Sequence, residues 1–167
     1  DRDKYFGSVL YDIANNGMAV GHATTIVNGA QRTKAFFVDT TVDNPVMTVP
    51  DSYFLGASST ARAINNNGSF VGEGEVETHN DDAKNPRRRE AYVYNIEQEL
   101  LYNLNALTEC NSPYTIVEAR DINDDNVIAA TALVKQDRRD AKGEVMLDEN
   151  GNTLREDVVR SIVLEPI

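Results

Sequence analysis

The chain has no tryptophan, one cysteine, two histidines and five prolines among 167 residues. A lone cysteine, Cys110, excludes a disulfide within the chain. Read as a small apolar side chain it belongs in a core, and the alternative is a bridge to a cysteine elsewhere. Two histidines leave little from which to build a tetrahedral zinc site. No apolar run approaches the ~18 residues that a membrane-spanning helix requires, so no membrane insertion is expected. The opening Asp1-Arg2-Asp3-Lys4 leads into no apolar stretch, so no signal peptide is expected and the chain reads as a mature or excised fragment. Positive charge is in deficit: 16 basic residues face 27 acidic ones, for a net charge of −11. Such a chain repels phosphate backbones, which argues against nucleic acid and anionic membrane as partners.

Signatures of catalysis are missing as well. There is no Gly-x-Ser-x-Gly elbow, and Cys110 has no histidine near it in sequence. The pair Gly72 and Gly74 lies inside a strand-like stretch and cradles no phosphate. Carboxylate-pair hydrolysis needs only two acids at a suitable separation, and an acidic chain supplies many.

What is present is an internal repeat of roughly fifty residues. Segments 8–21, 59–72 and 117–130 align on Ile13, Ile64 and Ile122. Each is followed by a second shared piece, at 34–38, 90–94 and 160–164. A third apolar run closes the first two copies, at 46–49 and 100–104. The segments are β-branched or aromatic, as strands should be, and Asn16-Gly17 and Asn67-Gly68 suit tight two-residue hairpin turns. Asp125-Asn126 replaces that pair in the third copy. The expected fold is therefore all-β: three antiparallel four-stranded meanders, propeller-like blades in a partial or open arrangement. One repeat-built domain is expected over 1–167, with units near 5–55, 56–112 and 113–167. Residues 95–107 also carry helical spacing, but the repeat places a strand there. Tyr92 and Tyr94 share one face of a strand, as do Phe36 and Val38, and core packing is expected for them.

The stretch Ile64-Asn65-Asn66-Asn67-Gly68-Ser69-Phe70-Val71-Gly72 and the later Glu90-Ala91-Tyr92-Val93-Tyr94 resemble HAF repeats of bacterial extracellular proteins. None of the three copies has the histidine or the terminal tryptophan of that pattern, and the third has Ala129-Ala130 where glycine is expected. The chain is also similar to an uncharacterised secreted family of gamma-proteobacteria. The resemblance implies a secreted or cell-surface bacterial protein of unknown function, with no catalytic residue carried over.

Three segments of different length occupy the same slot between the second and third strands: 22–33, 73–89 and 131–159. Insertions on one side of a repeat array often form its binding face. On that face the candidate ligand-binding residues are His79, Asp81, Asp82, Arg87, Arg88 and Arg89, although the arginine run reads most simply as a solvated loop. His79 with Asp81 or Asp82 is a weak metal site. Calcium is the candidate cofactor, since Asp121, Asn123 and Asp125, and again Asp148, Asn150 and Asn152, place oxygens at alternate positions. Twelve-residue calcium loops end on a bidentate acid, and Ala132 and Val159 stand there instead. The reading is a non-catalytic extracellular binding or structural module, with a protein or glycan at the cell surface as partner. The alternative is a piece of a propeller-type secreted hydrolase whose active site needs further blades. Three repeats fall short of the four to eight of a closed propeller, so self-association through the terminal repeats is expected.

Overall fold

The computed structural model describes residues 4–80 and 82–166. They form three antiparallel sheets in chain order. The first comprises β1 (Tyr5–Ile13), β2 (Met18–Val27) and β3 (Ala30–Asp39). The second runs β4 (Ser59–Ile64), β5 (Ser69–Glu75), β6 (Arg89–Asn95) and β7 (Leu100–Asn103), followed by one helical turn, α1 (Leu104–Leu107). The third holds β8 (Tyr114–Ile122), β9 (Ile128–Asp137) and β10 (Arg155–Leu164). Every sheet is a simple meander of neighbouring strands.

Register carries the repeat down to single residue pairs. Gly21 faces Phe36, Gly72 faces Tyr92, and Ala130 faces Ile162. Each first strand bulges at the same place, between Leu10 and Asp12, Ala61 and Ala63, and Ala119 and Asp121. Close approach of the first strand's backbone explains the glycine of the first two copies. A Cβ on Gly21 would lie 1.9 Å from the Val9 carbonyl oxygen, and one on Gly72 1.8 Å from that of Thr60.

The expectation of four strands in every sheet holds only for the second, since the first and third have three. Only Thr48 of the run 46–49 pairs with the first sheet, by a single bridge to Phe37, so that sheet has three strands and not four. The segment 95–107 splits: Leu100–Asn103 is the fourth strand of the second sheet, and α1 follows it. Asn103 caps α1 by accepting from the Asn105 amide, and Asn105 in turn pairs with both backbone groups of Ile116.

The turn at the start of each unit is also longer than two residues. Ala14 donates to the Met18 carbonyl and Gly17 to that of Ala14, so three residues form the loop and Gly17 takes φ +84°. Residues 65–69 and 123–127 repeat both bonds, with Gly68 at +77° and Asn126 at +59°. This is a type I turn closed by a left-handed residue, the usual three-residue hairpin. The two-residue form occurs instead at Asn28-Gly29, where both residues have positive φ.

The sheets stack face to face and share two apolar cores. Between the first and second lie Ala14, Val20, Ala35, Ala61, Ile64, Phe70, Tyr92 and Tyr94, with Met18 and Phe37 against them. Between the second and third lie Ala63, Val71, Ala91, Leu104, Ile116, Ala119, Ile122, Ile128 and Ala130. Adjacent sheets are also pinned at their turns. Asn15 donates its amide to the Asn66 side-chain oxygen at 2.8 Å, and Asn66 donates its own to Asp124 at 2.8 Å. A directional ladder of side-chain acceptors thus runs across the three repeats.

Candidate functional site

The stack leaves a concavity between the second and third sheets, and the repeat shows how it arises. In the first gap Phe70 and Tyr94 stack with centroids 4.9 Å apart, Phe37 lies 6.0 Å from Phe70, and Met18 packs beside them. In the second gap the register places Ile128 and Leu164 where Phe70 and Tyr94 stand, Val93 where Phe37 stands, and Ser69 where Met18 stands. Every replacement is smaller. The result is a cavity of about 770 Å³ lined by these four side chains.

Its floor is apolar, built from Val93, Leu104, Ile122, Ile128 and Leu164. Its rim carries Tyr102, Tyr114, Gln98, Asn126, Glu109 and Glu165. The Asn105 carboxamide locks α1 onto β8, which fixes the wall from Leu107 to Tyr114. A volume of this size, apolar within and polar at the edge, is typical of small-molecule sites. Cys110 lines the cavity and is exposed with a free thiol, contrary to its expected burial. It stands in the loop 108–113 between α1 and β8.

A second cluster sits where the first strands face each other. Arg62 pairs with Glu73 through two bonds, 2.8 and 3.1 Å, and reaches Glu118 of the third sheet at 3.2 Å. Arg62 also lies over the Tyr11 ring at 5.1 Å, and His22 packs 5.5 Å from Tyr11. Burial pushes the Glu73 carboxyl up, against the opposing pull of Arg62. Burial likewise lowers His22, with the positive charge of Arg62 adding to it. The His22 Nδ1 is buried without a hydrogen-bond partner among the described residues. Two carboxylates from facing sheets therefore meet here, but both are held on one guanidinium.

The residues expected on the loop face divide. Arg87 is not solvated: its side chain is 6% exposed, paired at 2.9 Å with a Glu75 side chain that is 4% exposed. It also donates to the carbonyls of His79 and Gly56 and lies over Phe54. Proline and acid neighbours suggest a surface loop, and only the fold reveals that this arginine turns inward. Arg88 and Arg89 remain exposed, Arg88 near Glu90 and Arg89 at 4.0 Å from Glu73. His79 contacts the Asn85 carbonyl, and Asp82 accepts from the amides of Lys84 and Asn85. Asp81 lies outside the described residues.

Three of the calcium candidates accept backbone amides. Asn123 accepts from the amides of Asp125 and Val127, and Asp148 from those of Asn150 and Asn152. Asp121 accepts from the Ile122 amide. The same Asx device recurs at Asn65 and Asp140. Among the described residues no three His, Cys, Asp or Glu side chains converge as a metal site would need. No helix among them is long and apolar enough to cross a membrane.

The longest insertion has its own architecture. β9 and β10 run paired to Asp137 and Arg155, and two small hairpins then fill 139–145 and 147–153. At their junction Arg138 donates to Leu154, Leu154 to Met146, and Met146 to Arg138. The three residues close a ring of backbone hydrogen bonds.

Fold and sites together define an all-β repeat protein of stacked antiparallel sheets, with an apolar cavity in one gap. The chain belongs to the family described as "Protein of unknown function (DUF3466)", whose family model matches residues 1–167. Neither the curated proteins nor the solved structures contain a match.

Proposed function

We propose that this chain is a non-catalytic binding module that holds its ligand in the cavity between the second and third sheets. The observation that carries this reading is the replacement of Phe70, Tyr94, Phe37 and Met18 by Ile128, Leu164, Val93 and Ser69 at matching positions. A purely structural repeat would fill both gaps alike. The same proposal takes the sheets as blades of a propeller-like stack in a secreted or cell-surface bacterial protein. The HAF-like spacing and the acidic composition support that setting.

The test uses an apolar dye that fluoresces when removed from water. Saturable binding at one site per chain is expected, and the double variant Ile128→Phe/Leu164→Tyr is expected to abolish it. That variant restores the pair already stacked one sheet earlier, so the fold has a precedent for it. A second variant replaces 139–153 with a short turn. If it loses the dye while the filled variant keeps it, the site is on the loops.

One observation favours a second reading, a propeller-type hydrolase. Glu73 of β5 and Glu118 of β8, from adjacent sheets, converge on the Arg62 guanidinium. Turnover of glycosides that vanishes in Glu118→Gln, with dye binding intact, would move the function there.

A further inference from the structure

The cavity has a sign as well as a shape. Among the described residues no lysine, arginine or histidine lines it, whereas two carboxylates, Glu109 and Glu165, and two phenols, Tyr102 and Tyr114, stand at its edge. The wall that supplies most of the rim, residues 95–114, contains Glu97, Glu99 and Glu109 and not one basic residue. Tyr102 and Tyr114 are 37% and 41% exposed, so neither is packed away in the core. The floor beneath is mainly aliphatic carbon, with the Ser69 side chain beside it, and Leu104 there is 4% exposed.

An anion brought to this rim would meet carboxylates with no compensating donor of positive charge. A neutral apolar molecule would gain the floor but nothing from the edge. A cation with an apolar body gains both: burial below, and at the mouth the carboxylates together with two aromatic side chains. Rings and carboxylates are the usual partners of organic ammonium groups. Their attraction strengthens where water is partly excluded.

Building on the reading of this cavity as the ligand site, we infer that its ligand is a small organic cation, an apolar body ending in an ammonium or guanidinium group. The body lies on Val93, Ile128 and Leu164, and the charged end stays at the mouth near Tyr102, Tyr114, Glu109 and Glu165.

Three probes of one skeleton test this: 4-phenylbutylamine, 4-phenylbutanol and 4-phenylbutyrate. Each is titrated into the whole chain, with a fluorophore on Cys110, the chain's one thiol, as reporter beside calorimetry. The amine is expected to bind at least about tenfold more tightly than the alcohol, a difference of about 1.4 kcal/mol. The butyrate is expected to bind most weakly. Raising salt and the double variant Glu109→Gln/Glu165→Gln should both shrink the gap between amine and alcohol while sparing the alcohol's own affinity. Equal binding of amine and alcohol would overturn the charge preference and leave the cavity a ligand site. Absence of binding by all three, with the dye also unbound, would overturn the site itself. Undiminished binding to Ile128→Phe/Leu164→Tyr would place the ligand elsewhere and defeat both.

Discussion

Arg87 stands beside a proline and two further arginines, and nothing adjacent to it in sequence tells it from them. It is nonetheless the arginine that the fold turns inward, onto Glu75 and two backbone carbonyls. Removing one member of such a pair strands a buried charge. Arg87→Met is expected to cost about 3–5 kcal/mol in urea denaturation. The double change Arg87→Met/Glu75→Gln should recover part of that, because glutamine keeps the bond from the Ser58 amide without the charge. Asp124 makes a separate prediction. Its two oxygens accept from the backbone and side-chain amides of Asn66, and these bonds hold its carboxyl below the ordinary value of 3.8. Asn66 cannot flip to suit an asparagine partner, because its own oxygen is taken by the Asn15 amide. Since the folded value is lowered, the stability Asp124 contributes is present above pH 3.8 and is lost as pH falls through the folded value. Wild type should therefore exceed Asp124→Asn in melting temperature at neutral pH, and the difference should close in acid.

At the scale of turns and strands, much was readable, and one turn is longer than its sequence suggests. The Asx residue with glycine or asparagine three positions later recurs at Asn65, Asn123, Asp140 and Asp148. Alternating oxygens suggest calcium, but the side chain of the first residue is spent on backbone amides, a competition that Asx residues commonly win in turns. The two-residue turn expected at Asn16-Gly17 failed because one added residue lets a type I turn meet the strand twist. Glycines carry different weights. Gly151 has φ +82° with open space around its missing Cβ, so Gly151→Ala should cost only the left-handed backbone penalty, about 1–2 kcal/mol. Gly72→Ala should cost clearly more, because its Cβ would enter the Thr60 carbonyl and the strand pair must part. Thermal melts of the two variants side by side check the order. Ala130 holds the matching place in the third sheet, where β8 carries an additional irregularity between Ile116 and Glu118.

Across the whole molecule, the all-β repeat was legible because hydrophobic spacing and turn chemistry agree in all three copies. The cavity was not, since it depends on differences between copies at positions far apart in the chain. Ile128 and Leu164 look like ordinary strand residues until register sets them against Phe70 and Tyr94. Matching positions also mark the outer faces. Ile13 is 58% exposed, while Ile64 and Ile122 are 5%. Val163, at the other end, is 64% exposed, and Ala129 beside it is exposed where Val20 and Val71 are fully buried. Contiguous bare apolar surface of this kind favours association, and head-to-tail contact is the mode that sheet-on-sheet stacking extends. Sedimentation from micromolar to near-millimolar protein is expected to show growth in mass. Ile13→Lys and Val163→Lys should each suppress it, and an equal mixture of the two should recover a single dimer.

The ring of bonds joining Arg138, Met146 and Leu154 gives the longest insertion a modular grammar. The two hairpins that leave it share an eight-residue phrase, Asp-x-x-Gly followed by four residues, beginning at Asp140 and again at Asp148. Each phrase starts and finishes at the junction, so one could be cut out, duplicated or exchanged without altering the ribbon of β9 and β10 beneath. The lobe is thus a natural socket for grafted peptides, and lineages carrying this unit should vary there in steps of a whole hairpin rather than residue by residue.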